Sequence, residues 1–213
     1  VEFHLAVRLF KVSRNEFYIF IAACLGVLLL GTIYGVIIGI ILSFAEVILK
    51  SINPPRTFLG IIPGRDGFYD LRKNEHAYKL KDTVIYQFSE SLYFANIKIF
   101  VEDIEKNITD QTKTVIVDAG AVTGMDITAA DQIEALAAEL KRRGIRFFIT
   151  EHMDQLNAEM RKLGIGHLIE EGMVRRTITA ALSASGMEKP YHLEGLGQQH
   201  SEKISWLPAE EEN

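Results

Sequence analysis

FYIFIAACLGVLLLGTIYGVIIGIILSFA, the stretch from Phe17 to Ala45, holds 29 residues without one Lys, Arg, Asp or Glu, and Glu46 is the next charge. A run of more than about 18 such residues is the signature of a membrane span. As one helix it would measure ~44 Å against a hydrocarbon core of ~30 Å, which needs a tilt beyond the usual range of about 0–40°. Two short helices folding back near Gly31-Thr32 fit better, with Val12–Ser13 and Val47–Leu49 reaching the interfaces. Charge agrees with a hairpin. Arg8, Lys11 and Arg14 precede the run, Lys50, Arg56, Arg65, Arg72 and Lys73 follow it, and the turn carries no charge. Positive flanks favour the cytoplasmic side, and only a double crossing puts both of them there. The expected boundaries are a cytoplasmic lead-in over 1–14, with Leu5, Leu9 and Val12 between Arg8 and Lys11 as an interfacial face, and a short transmembrane hairpin over 15–50.

Within the run, Gly31, Gly35 and Gly39 fall four apart. On a helix they stack on one face and form a groove for a neighbouring backbone, a docking surface whose partner is expected outside this chain. The competing reading makes Gly31 only the turn. Cys24 is the one cysteine of 213 residues and lies in the apolar run, so no disulfide framework exists. The net charge of −5 and the lack of a basic stripe argue against nucleic acid as a partner. The chain begins at Val1 and not at Met, which leads to the expectation of a C-terminal piece of a longer protein.

Beyond the run the pattern changes. Asn53-Pro54-Pro55 ends the helix, since Pro cannot donate and restricts its predecessor. Residues 51–78 read as a polar linker with turn signals at Pro63-Gly64 and Asp66-Gly67. Thr83–Phe88, Thr114–Val117 and Arg146–Thr150 read as strands. Ala95–Asn107, Thr128–Arg143, a short segment around Leu156, Met160 and Leu163, and Met173–Ser183 read as helices. Strands alternating with helices predict an α/β domain over 79–185, with a mostly parallel sheet covered by helices. That segment is expected to fold alone. Residues 186–213 read as a disordered acidic tail.

These stretches carry a resemblance. QFSESLYFANIKIFVEDI (Gln87–Ile104) and VIVDAGAVTGMDITAADQIEALAAEL (Val115–Leu140), followed by GIRFFIT, resemble the STAS domain shared by sulfate transporters and anti-sigma factor antagonists. FLGIIPGRDGFYDL (Phe58–Leu71) resembles the connection from the last membrane helix into that domain in SulP sulfate permeases, and the glycine-rich hairpin resembles their last two membrane helices. The resemblance implies a secondary anion transporter of the plasma or inner membrane. Its STAS domain would be cytoplasmic and its partners the bilayer, the rest of its own transport core and, as a homodimer, a second copy. The inorganic anion would bind in that core, so no substrate-binding residue is assigned to this chain. The alternative implied is a membrane-tethered signalling module of the antagonist kind.

Thr128 matches the position that the antagonists phosphorylate, with Asp126 beside it. Phosphate there would add about −1.5 to −2 charges against Asp126 and Asp131. Thr128-Ala129-Ala130-Asp131 also has capping-box spacing, and Asp126 is an equal candidate for the cap. Asp118 with Asp126 suggests an acid or Mg²⁺ pair, but the strand ending Gln87-Phe88-Ser89-Glu90 lacks the acidic pair of a receiver domain. His4, His76, His152, His167, His192 and His200 are scattered without metal-ligand spacing, and no Walker, Rossmann or nucleophile-elbow motif occurs. No catalytic residue, metal site or cofactor is expected.

Overall fold

The computed structural model describes residues 14–189 and 191–194. The lead-in at 1–13, His4, His200 and the remainder of the tail lie outside the described residues. Two compact units, Val1–Asn53 and Pro54–Asn213, are taken in turn.

The first unit holds α1 (Arg14–Leu30) and α2 (Thr32–Ile52). Gly31 separates them with φ +91°, a backbone region that side chains rarely adopt. The helices then run antiparallel. A Cβ on Gly26 would lie 3.1 Å from Gly35 Cα, one on Gly39 would lie 3.3 Å from Ala23 Cβ, and one on Gly35 would lie 2.6 Å from Val27 Cα. The sequence offers Gly31 either as part of the docking stripe or as the turn. Gly31 is the turn, with nothing near the space a Cβ would occupy, and Gly35 and Gly39 seat on α1. A spacing of four fixes a face but not the neighbour. The turn brings the preceding helix onto that face, and Gly26 completes the contact.

Most other side chains of the hairpin point outward, among them Leu28, Leu29, Ile33, Phe44 and Leu49. Among the described residues α2 is the helix long and apolar enough to cross a membrane. Glu46 and Lys50 pair at 3.0 Å one turn apart near its end.

The second unit is a five-stranded sheet in the order β2-β1-β3-β4-β5. Its strands are β1 (Arg56–Gly60), β2 (Tyr69–Asp70), β3 (Thr83–Phe88), β4 (Thr114–Asp118) and β5 (Arg146–Thr150). β3, β4 and β5 are parallel neighbours, while β1 is antiparallel to both β2 and β3. Crossover helices α3 (Ile97–Asn107) and α4 (Ile127–Arg142), with α5 (Asp154–Lys162) and α6 (His167–Glu170), follow the parallel strands, and α7 (Ile178–Ala184) comes last.

Alternation along the strands divides the core. Tyr86, Phe88, Val115, Val117, Phe147 and Ile149 pack in one cluster with Phe100 and Ile104 of α3 and Ile133, Leu136 and Leu140 of α4. Leu59, Ile85, Ile116 and Phe148 pack in the other with Ile178, Ala181 and Leu182 of α7. A strand-period register allows no other assignment once β3, β4 and β5 are aligned. In the first cluster Phe88 and Phe100 meet edge-on at 5.5 Å. Tyr86 donates to Asp103 Oδ2 at 2.9 Å, and Arg56 Nε donates to the same oxygen at 2.5 Å. Burial, and then the Asp103 charge, pushes the Tyr86 hydroxyl pKa above its ordinary value.

Three sequence expectations change. The supposed linker 51–78 supplies β1 and β2, and its two turn signals lie between those strands. Five residues with one Gly gave too short a pattern to register as a strand. The last helix begins at Ile178 and not at Met173, because residues 173–175 pair with the outer edge of β5. Ile149 N donates to Met173 O and Arg175 N donates to Ile149 O, each at 2.9 Å. Residues 186–194 are not a free tail. Tyr191 and Leu193 are buried in the second cluster, Lys81 N donates to His192 O at 2.8 Å, and Glu194 N donates to Lys79 O at 2.9 Å.

The domain therefore needs more chain than 79–185. Cutting to those residues removes Leu59, Ile61, Tyr191 and Leu193 from the core. At about 1.5–3 kcal/mol per large side chain, that rivals a typical total stability of about 5–15 kcal/mol. A chain cut to 54–194 is expected to melt cooperatively by circular dichroism, whereas 79–185 should aggregate or show no sharp transition. Equal melting curves would refute this. In the hairpin, Gly35→Ala forces the helices apart and should cost about 1–3 kcal/mol, more than Gly39→Ala. Thermal stability of the detergent-solubilised chain, followed by size exclusion, reads the difference.

Candidate functional site at the carboxyl edge of the parallel strands

In an open α/β sheet, ligands and partners meet the loops beyond the carboxyl ends of the strands. Here β3, β4 and β5 all end at one edge. β4 ends at Asp118, which is buried. Gln87 Nε2, near the end of β3, donates to Asp118 Oδ2 at 2.7 Å, and Gly120 N donates to Oδ1 at 3.0 Å. Both oxygens of this carboxylate serve the fold.

The next loop is zipped to the one after β3. Leu92 N donates to Gly124 O and Asp126 N to Leu92 O, each at 3.0 Å, and the Ser91 and Thr123 hydroxyls meet at 2.7 Å. Asn96 is fully buried between them. Its Oδ1 accepts from Tyr93 N at 3.0 Å and its Nδ2 donates to Ser91 O at 2.9 Å. Glu159 of α5 reaches back, its Oε2 accepting from Met125 N at 2.8 Å.

Asp126 opens α4 as its N-cap, with Oδ1 accepting from Ala129 N at 2.8 Å. Its Oδ2 accepts from Phe94 N, also at 2.8 Å, so one carboxylate joins the helix to the loop before α3. The sequence left Asp126 and Thr128 as rival caps. Thr128 is instead the second helical residue, with its side chain exposed. The capping-box reading of Thr128 to Asp131 therefore gives way to Asp126.

Beyond β5, Glu151 has φ +56° and its Oε1 accepts from Ile178 N at 3.0 Å, which holds the first residue of α7 beside its N-cap Thr177. Burial pushes the His152 imidazole pKa down, with Asp154 working the other way. His152 Nε2 lies 2.9 Å from Asn157 Nδ2. His167 instead faces Glu134 at 3.3 Å. Among the described residues no three His, Cys, Asp or Glu gather where a metal would sit. Asp118 and Asp126 have all four oxygens engaged by separate partners and form no acid pair.

The edge offers a surface instead. From Pro54 onward, the exposed large apolar side chains among the described residues are Phe94, Ile127 and Met153, and each lies on a loop or helix start at this edge. Phe94 and Ile127 flank the Asp126 carboxylate, with Thr128 the next residue. Sequence reading found Asp126 and Thr128 but missed Asn96, Glu159 and the apolar pair. A buried Asn after LYFA was the available signal, whereas Glu159 comes from a helix whose position the sequence does not reveal.

An α/β sheet with three parallel strands, covered on both faces, thus ends in this zipped loop. A family model described as the STAS domain matches residues 75–181, and the chain belongs to that family. A probable sulfate transporter of Mycobacterium tuberculosis is 28% identical over 180 residues, covering 83% of this chain and 32% of its own length. Probable sulfate transporter 4.2 of Arabidopsis thaliana is 28% identical over 182 residues, covering 79% and 27%. The chain thus spans about a third of the length of the curated relatives it matches. Among solved structures, the murine solute carrier 26 family member A9 anion transporter, in its inward-facing state, superposes with a TM-score of 0.76. It covers 84% of this chain and 30% of its own at 19% identity, a likeness of fold.

Asp126→Ala removes a cap and leaves Phe94 N without its acceptor. It should lower stability to urea by about 1–2 kcal/mol, with Asp126→Asn well below that. Equilibrium unfolding followed by far-ultraviolet circular dichroism checks the order.

Proposed function

We propose that this chain forms the last helical hairpin and the cytoplasmic STAS domain of a SulP-type secondary anion transporter, moving sulfate, bicarbonate or a related anion. One observation carries the reading. The similarity to sulfate transporters runs over 83% of the chain, too much for the STAS match at 75–181 alone to account for. The relatives matched over that length are sulfate transporters, which favours this reading over a membrane-tethered signalling module. In this reading the hairpin spans the bilayer and packs against the transport core. The anion binds in that core, and the STAS domain serves assembly, trafficking or regulation, with a homodimer as the working form. No covalent chemistry is assigned to any residue here.

The carboxyl-edge surface is the proposed regulatory contact. Thr128 is its proposed phosphoacceptor, exposed beside Asp126, Phe94 and Ile127. A phosphate there would put about two negative charges next to an existing carboxylate and repel an acidic partner while recruiting a basic one.

Three measurements test the reading. Radiolabelled sulfate and bicarbonate uptake by the intact parent protein in liposomes should exceed empty liposomes under an imposed ion gradient. For topology, a Lys113→Cys probe in a Cys24→Ser background should resist an impermeant maleimide added outside intact cells. Labelling from outside would refute a cytoplasmic STAS domain. Phosphopeptide mapping from native cells should find Thr128 modified, and repeated failure would remove it as a switch.

A further inference from the structure

The segment between β1 and β3 builds a second feature that the transporter reading does not use. Ile61 and Tyr78 form an antiparallel bridge, with Ile61 N donating to Tyr78 O and Tyr78 N to Ile61 O, each at 2.9 Å. Gly60 lies so close to Tyr78 O that a Cβ would collide with it, and it would lie 2.6 Å from Leu71 Cδ2. Asn74 is tied to Asp70 O through both its backbone N, at 3.1 Å, and its Nδ2, at 3.0 Å. The loop is thus braced at both ends and in the middle.

Between these braces lies an open cleft of about 620 Å³. Ile62, Pro63 and Tyr78 supply apolar wall, and Arg65, Lys73 and His76 line it alongside a single acid, Glu75. Asp66, the residue after Arg65, pairs instead with Lys189 at 3.3 Å. Asp70 already accepts from Thr57 Oγ1 at 2.5 Å and from Arg72 N at 2.8 Å, and reaches Lys73 only at 4.0 Å. The Arg65 guanidinium and the His76 ring have no hydrogen-bond or ion-pair partner among the described residues.

We infer that this cleft is a binding site for a tetrahedral oxyanion of the phosphate or sulfate type, held by Arg65 and Lys73 with His76 as a further nitrogen ligand. Guanidinium and ammonium groups on a fixed frame suit such an anion, since charge-assisted hydrogen bonds are the strong ones and the frame needs no ordering on binding. The apolar wall suits an anion that carries a hydrocarbon or glycerol group. The anion is therefore either free in solution or the headgroup of an acidic lipid, and its chemistry at the cleft is the same.

The whole chain in detergent tests this at low ionic strength. Inorganic phosphate is titrated by calorimetry, and phosphatidic acid is compared with phosphatidylcholine by native mass spectrometry. Arg65→Gln with Lys73→Gln should weaken phosphate or phosphatidic acid binding about tenfold or more. Arg65→Lys with Lys73→Arg should retain most of it. Lys98→Gln, on the exposed side of α3, should change nothing. These side chains are exposed and make at most long surface ion pairs, which contribute little to stability, so melting temperature should stay nearly constant across the set. Phosphate binding that follows this order assigns a free anion. Phosphatidic acid retention that follows it without phosphate binding assigns a lipid headgroup. No binding of either, or an equal loss in Lys98→Gln, overturns the site.

Discussion

Every residue of β4 is buried, from Thr114 to Asp118. A strand in that position needs cover on both faces and partners on both edges, because neither its side chains nor its backbone can reach water. Most of the second unit answers that demand. β3 and β5 flank it in parallel, which requires the crossovers α3 and α4. Those helices cover one face, and α7 with Tyr191 and Leu193 covers the other. The demand also reaches the strand's last residue. A buried carboxylate without partners costs several kcal/mol, so Asp118 must find Gln87 and Gly120. An acid in that bond cannot serve as a free base.

The parallel half of the sheet was legible for the same reason. TVIV, TVIYQF and RFFIT are apolar and β-branched, and each is followed by a helical period or a terminating Gly. The antiparallel half was not. β1 pairs over only four residues with β3, and the preceding Pro54 and Pro55 and its own last residue, Gly60, are loop residues by any local rule. What makes RTFLG a strand is the open edge of β3, a tertiary fact. The strap at 191–194 is the same case. Tyr191 and Leu193 alternate over too short a span to signal a strand, yet they close the face that α7 leaves open. Asp126 was legible as a cap, and the choice between it and Thr128 was settled by Phe94 N, which supplies a second donor only to Asp126.

The hairpin shows a different balance. Its outward side chains are apolar all round, so no amphipathic face orients it, and glycine spacing alone gave the contact surface. The 21 residues of α2 measure ~32 Å, matching a hydrocarbon core of ~30 Å, while the apolar part of α1, Phe17–Leu30, measures ~21 Å. A helix that short reaches both interfaces only where the bilayer thins or flanking residues extend it. In the proposed membrane setting, tight seating on Gly35 and Gly39 would offset that shortfall, because small residues let helices pack closely in lipid.

The distribution of satisfied and unsatisfied groups then separates the two surfaces of the second unit. At the carboxyl edge, Asp118, Asp126, Glu151 and Glu159 each hold backbone or side-chain donors of the fold, and the exposed large apolar side chains Phe94, Ile127 and Met153 lie around them. That apolar patch suits the proposed regulatory contact with another protein, and a phosphate added beside it would change which partner fits. In the loop between β1 and β3, Asp66 pairs with Lys189 and Asp70 with Thr57 and Arg72, while Arg65 lines the cleft without a matched acid among the described residues. A braced loop that leaves a guanidinium unmatched gains nothing in stability from it, since even a matched surface pair contributes only about 0–1 kcal/mol. Its placement is therefore better explained by a ligand that comes and goes than by the fold that carries it.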